Sequence, residues 1–66
     1  MLSKDILQLS KQEFENLDLG LDFEKDVEKI RLITQWYNLY NKPTTSSKTK
    51  EALEINLERL LCLPIQ

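Results

Sequence analysis

The sequence predicts an all-α fold: an antiparallel helical hairpin with an N-terminal helical segment packed across it, as a small three-helix bundle in one domain, residues 1–66. Leucine and isoleucine supply most of the apolar content, whereas valine occurs once. The low number of β-branched residues argues against strands. The single glycine and the two prolines argue against the tight turns that a sheet needs. Apolar residues also recur at steps of three and four, which is the helical period.

The first predicted segment covers about residues 4–18. One helical face carries Leu2, Ile6, Leu9 and Leu17, with Leu7 and Phe14 at its edge. Within this segment, Ser10-Lys11-Gln12-Glu13 has the pattern of a capping box, in which the first and last residues cap each other's backbone. The pattern therefore fits either one helix or two short helices that divide at Ser10.

The second predicted helix, about residues 23–41, has the clearest period. Its main stripe is Phe23, Val27, Ile30, Ile33, Tyr37 and Tyr40. Gly20 can adopt the left-handed conformation that ends a preceding helix. Asp22 is a suitable N-cap for the helix that follows.

The third predicted helix covers about residues 48–62, with Leu53, Leu57, Leu60 and Leu61 as its stripe. Pro43 is expected to end the second helix, because the residue before a proline is pushed out of helical geometry. One of Thr45, Ser46 or Ser47 should cap the third helix, and Pro64 should end it. The short hydroxyl-rich connection makes the second and third helices neighbours.

The second helix is apolar on more than one side. Leu32, Trp36 and Leu39 lie away from its main stripe, and Ile55 lies off the stripe of the third helix. Two interpretations fit. In the first, three helices wrap around one another and Trp36 is core. In the second, Leu32, Trp36, Leu39 and Ile55 form an interaction surface, because a 66-residue chain has little else with which to cover them.

Charge is segregated along the chain, although the net charge is only −2. Residues 1–30 have eight acids and four bases, and residues 51–66 have three acids and one base. Residues 31–50 have no acid and four bases, which are possible phosphate contacts: Arg31, Lys42, Lys48 and Lys50. Four bases in an acidic chain are few for a nucleic-acid binder, so a solvated loop that flanks a core aromatic cluster is the favoured interpretation.

The side chains most often used in catalysis are scarce. Histidine is absent and Cys62 is the only cysteine, so we expect no enzymatic activity, no metal, no cofactor and no internal disulfide. A lone cysteine is typical of a reducing compartment. No apolar run is long enough for a membrane span and no secretory signal pattern opens the sequence, so we expect a cytoplasmic protein without membrane contact.

These features predict a non-catalytic protein–protein interaction module, such as a small regulator, adaptor or subunit. The expected partner is a second copy of the chain, in a homodimer or higher homo-oligomer, or another protein. The alternative is a small helical nucleic-acid-binding protein that uses the basic window, residues 31–50. The two hypotheses differ in their dependence on salt, because phosphate binding weakens as counterions are added.

Overall fold

The computed structural model describes residues 2–62, and within that range it contains helices and no strand. Its four helices are α1 (Ser3–Leu7), α2 (Lys11–Glu15), α3 (Val27–Tyr40) and α4 (Ser47–Leu61). α3 packs against α4, and α1 contacts both of them. The predicted all-α class is thus confirmed. None of the helices in this range is long and apolar enough to cross a membrane.

The N-terminal segment is two helices, which decides the question that the sequence left open. Ser10 is the N-cap of α2, and its hydroxyl accepts the Glu13 N–H at 3.2 Å. The Glu13 carboxylate accepts the Ser10 N–H at 3.2 Å in return. This reciprocal capping box starts a new helix three residues after α1 ends, so α1 and α2 can take different directions.

The second predicted helix begins at Val27 rather than at Phe23. The Asp22 carboxylate accepts the N–H groups of Glu24 at 2.7 Å and Lys25 at 3.1 Å, so Asp22 does act as a cap. The turn it caps stops at Asp26, whose φ of −106° and ψ of 29° are not helical. Because Phe23 precedes the helix, the helical period does not place it in the core.

Phe23 and Val27 were predicted to belong to the main stripe, and this was wrong. Phe23 is 84% exposed and Val27 is 52% exposed. Val27 lies about 120° around α3 from the buried Ile33, because six residues at about 100° each bring the chain to that position. The buried face of α3 is therefore narrower than the apolar pattern suggests.

The start of α4 agrees with the sequence. Ser46 is its N-cap, and the Ser46 hydroxyl accepts the Thr49 N–H at 3.3 Å. α3 ends at Tyr40, three residues before Pro43. α4 ends at Leu61, where Cys62 takes a left-handed conformation with φ of 54°. The predicted role of Pro64 lies outside the described residues.

The core lies where α1, α3 and α4 meet. Its buried apolar residues are Ile6, Leu7, Ile33, Tyr37, Tyr40, Leu53 and Leu57. Three side-chain hydrogen bonds hold the N-terminal region to the longer helices. Ser3, which is fully buried, donates to Glu58 at 3.0 Å, and the Tyr37 hydroxyl donates to the Leu9 carbonyl at 2.6 Å. The Asn41 amide donates to the Leu7 carbonyl at 3.1 Å.

Candidate functional site

An apolar groove of about 360 Å³ lies in the described part of the chain. It is bounded by α2, the 17–23 segment that follows α2, and residues 30–38 of α3. The α2 wall is Lys11, Phe14 and Glu15, and the segment contributes Leu17, Leu19, Leu21 and Phe23. The α3 wall is Ile30, Ile33, Thr34, Tyr37 and Asn38. The volume is at the lower end of the range of pockets that hold ligands.

Two stacked rings form part of the groove wall. The Phe14 ring lies nearly parallel to the Tyr37 ring, with centroids 3.9 Å apart and planes at 7°. Tyr37 is buried and its hydroxyl is satisfied by the Leu9 carbonyl, so this wall presents ring carbons rather than a free polar group. Apolar contact with a guest side chain is therefore what this wall offers.

The 17–23 segment is held by two aspartate-centred turns. The Gly20 N–H donates to the Asp18 carboxylate at 2.8 Å, and Gly20 has a φ of 70°, which suits a residue without Cβ. At the other end, the Asp22 N–H donates to the Asp26 carboxylate at 3.0 Å. Between these turns Leu19 and Leu21 pack partly buried against the core, whereas Phe23 projects into solvent at the groove edge.

The chain around the groove is strongly acidic. Residues 11–28, which include the groove-lining Lys11, contain seven carboxylates and two lysines, a balance of −5. The backbone N–H and hydroxyl of Ser10 lower the pKa of Glu13, and the backbone N–H groups of Glu24 and Lys25 lower the pKa of Asp22. Hydrogen bonds to a carboxylate favour its charged form, so these two groups stay ionised at neutral pH.

The surface predicted from Leu32, Trp36 and Leu39, here called the Trp36 face, is only partly available. Leu32 and Trp36 are partly buried, and Trp36 packs against the core. Leu39 is 37% exposed. Trp36 therefore contributes to the core, and the interaction surface stays a prediction.

α1 covers the other side of α3. The Tyr37 hydroxyl donates to the Leu9 carbonyl just after α1, and the Asn41 amide donates to the Leu7 carbonyl at the end of α1. Tyr37 and Asn41 lie about 40° and 80° around α3 from Ile33. The Trp36 face lies about 60° to 120° from Ile33 in the opposite sense. Tyr40 lies about 20° from Ile33 in that same sense, and its hydroxyl donates to Glu54 of α4 at 3.1 Å.

The structure separates Ile55 from the other predicted surface residues. Ile55 is 47% exposed and lies on α4 roughly opposite the buried Leu53 and Leu57. A single exposed isoleucine among polar neighbours is ordinary on a protein surface. Ile55 is therefore a suitable position for control substitutions and is not included in the candidate site.

Of the four predicted phosphate contacts, Arg31 lies along α3 from the other three, which lie near the α3–α4 connection. Arg31 is exposed near the start of α3, about 14 Å of helix from Tyr40 at its end. Lys42 and Lys48 are exposed on either side of the α3–α4 connection. The Lys50 ammonium lies 5.5 Å from the centroid of the Tyr40 ring, so this base is engaged in a cation–π contact.

No cluster of three or more histidine, cysteine, aspartate or glutamate side chains that could hold a metal occurs among residues 2–62. Cys62 is exposed after the end of α4. Burial raises the pKa of the Tyr40 phenol, and the hydrogen bond that it donates to Glu54 at 3.1 Å adds to the effect.

Sequence reasoning missed the groove because it treated residues 18–22 as a plain connection. A signal was present: Leu17, Leu19 and Leu21 alternate at every second residue, which is the period of an extended segment with one buried side. Phe14 was placed at the edge of a helical face, but nothing in the sequence identified Tyr37 as its stacking partner. No protein-family model matches the chain, and no characterised protein or solved structure is detectably similar to it.

Proposed function

We propose that this protein is a non-catalytic protein-interaction module, a small regulator, adaptor or subunit, and that its docking surface is the groove. The observation that supports this most directly is Phe23, a large aromatic side chain that is 84% exposed at the edge of an apolar concavity. Exposed aromatics beside an apolar pocket are the residues that most often dominate the free energy of protein–protein binding.

The groove is a better candidate than the Trp36 face. Two of the three side chains in the Trp36 face are already partly buried within the chain. The Phe23 side chain, in contrast, is buried very little by its own chain, because it precedes α3 and projects into solvent. A partner that covers Phe23 and fills the groove would remove a large apolar area from water at one place.

Self-association is a second part of the proposal. We infer an antiparallel α3–α4 hairpin whose Trp36 face pairs with the same face of a second copy, which would cover Leu39. Size-exclusion chromatography with light scattering tests this. A dimer that becomes a monomer after Leu39→Asp is the expected result, whereas a wild-type monomer at all concentrations contradicts self-association.

Phosphate binding by the basic window remains the alternative. Only four bases are available and Arg31 lies along α3 from the other three, so the alternative has less support than the groove gives to protein binding. Binding of nucleic acid at low salt that is lost at high salt and weakened by neutralising these bases would favour the alternative.

The proposal is tested by quantitative affinity capture with three forms of the full chain: wild type, Phe23→Ala and Ile55→Ala. Both substitutions shorten an exposed apolar side chain, but only Phe23 lies at the groove. The expected result is a set of proteins retained by wild type and Ile55→Ala and lost from Phe23→Ala. Identical profiles for all three forms, or no enriched protein with any form, would contradict the proposal.

A further inference from the structure

We infer that the groove binds an amphipathic helical segment of another protein, with its apolar side chains on one face and lysine or arginine at the edges of that face. This inference rests on the proposed function and specifies the chemistry of the partner. The charge around the groove and the length of its α3 wall support it.

The charge argument concerns the rim. The chain from residue 11 to residue 28 has a balance of −5, and six of its seven carboxylate residues are exposed. Lys11 and Glu15 on the α2 wall leave the lining itself close to neutral. The rim is the exposed carboxylates of Asp18, Asp22 and Glu24, which adjoin lining residues of the 17–23 segment in sequence. A basic partner is attracted to this rim and an acidic partner is repelled, with an effect on both rate and affinity.

The length argument concerns the α3 wall. Its lining residues run from Ile30 to Asn38, which is about 12 Å along the helix axis at about 1.5 Å per residue. A docked helix that uses side chains at positions i, i+4 and i+7 spans about 10 Å, so two turns match the wall. The groove therefore has the length expected of a helix-in-groove site rather than of a flat interface.

The same charges disfavour a second copy in the groove. A symmetric dimer joins identical patches, so it would bring two copies of the acidic rim together. Repulsion between like charges at such an interface costs affinity. The occupant is therefore a partner of opposite charge, and self-association belongs to a different surface.

The test uses four synthetic 12-residue peptides titrated into ¹⁵N-labelled full-length protein and followed by amide chemical shifts. Three peptides share leucine at the same i, i+4, i+7 and i+11 positions, and their remaining positions are basic, neutral or acidic. The fourth has the composition of the basic peptide in a scrambled order without an apolar face. The expected result is that the amphipathic basic peptide shifts the amides of Phe14, Leu21 and Ile30, and binds at least tenfold more tightly than the acidic peptide.

The outcomes separate this inference from the proposed function. If the neutral and acidic peptides shift the same amides with equal affinity, the basic character of the partner is wrong and the groove remains a docking site. If no amphipathic peptide shifts the groove amides, the docking site itself is wrong. Equal shifts with the scrambled basic peptide would show charge attraction alone, which also overturns the inference.

Two matched variants sharpen the test. Glu15→Lys reverses a charge on the groove wall, and Glu51→Lys makes the same change on an exposed position of α4. Glu15→Lys is expected to weaken binding of the basic peptide about fivefold at low salt, because a nearby attraction becomes a repulsion. Glu51→Lys is expected to leave the affinity close to that of wild type. Equal effects of the two substitutions contradict the inference.

Discussion

The rings of Phe14 and Tyr37 lie face to face, 3.9 Å between centroids, and this contact fixes α2 against α3. α2 has only five residues, which is far too short for a helix to be stable alone. The position of α2 therefore depends on the Phe14 side chain, which packs on Tyr37 of α3. Since α2 forms one wall of the groove, the shape of the groove depends on the same pair.

Phe14→Ala is expected to destabilise the protein by about 2–3 kcal/mol, below the full cost of a buried phenylalanine because Phe14 is partly exposed. Phe23→Ala is the matched control and should change stability by less than about 0.5 kcal/mol. Urea unfolding followed by the fluorescence of Trp36, the single tryptophan, measures both. Equal losses in the two variants would show that the stacked pair does not hold α2.

Asn41→Asp is expected to cost about 1–3 kcal/mol. The Asn41 amide donates to the Leu7 carbonyl at 3.1 Å and to the Tyr37 carbonyl at 2.8 Å, and a carboxylate can donate neither bond. Asn56→Asp adds the same charge at an exposed position on α4 and should have little effect. Hydrogen exchange should quicken first in α1. Unchanged exchange there would mean that Asn41 does not hold α1.

Leu57→Ala and Ile55→Ala test the predicted direction of the α4 face. The Leu57 side chain is fully buried and its truncation should cost about 3 kcal/mol, whereas Ile55 is 47% exposed and should cost less than about 0.5 kcal/mol. The denaturation midpoints of the two variants, compared with wild type, give the difference. A larger loss for Ile55→Ala would mean that α4 is rotated from the position described.

Acid should loosen α2 before it unfolds the core. The folded-state pKa of Glu13 is lowered from its ordinary value of 4.5, mainly by the Ser10 backbone N–H. A lowered pKa stabilises the folded form at pH values above 4.5, and this contribution is lost as pH falls through the folded-state pKa. Amide exchange in α2 measured between pH 6 and pH 3 checks the direction. Glu13→Gln should abolish this contribution to the pH dependence, because it removes the titrating carboxyl, and an unchanged pH dependence in this variant would contradict the assignment.

The sequence predicted the structure best where the type of a residue and its spacing from near neighbours are enough to determine the local backbone. Ser10 was predicted as a capping-box residue and Ser46 as one of three candidate caps, and both are N-caps in the structure. The stripes that give Ile33, Tyr37, Leu53 and Leu57 to the core were also predicted correctly. These features depend on neighbours within four residues, which a periodic pattern describes fully.

The features that define the groove depend on contacts between distant residues. The stacking of Phe14 on Tyr37 joins residues 23 apart in sequence, and no local pattern predicts it. The exposure of Phe23 depends on the non-helical backbone of Asp26, which interrupts a helix that the period alone would extend. Helix propensity and the helical period predict the boundary of a helix poorly where a short turn takes the place of its first residues.

The bond between Ser3 and Glu58 joins residues 55 positions apart, and it bears on the order in which the chain folds. α3 and α4 are adjacent in sequence and can pair early, because closing a short connection costs little entropy. α1 has its partners on both of these helices, so the packing around its core residues Ile6 and Leu7 is complete only when α4 exists. A ribosome makes α1 first, and the growing chain must keep those two side chains from aggregating until α4 has been synthesised.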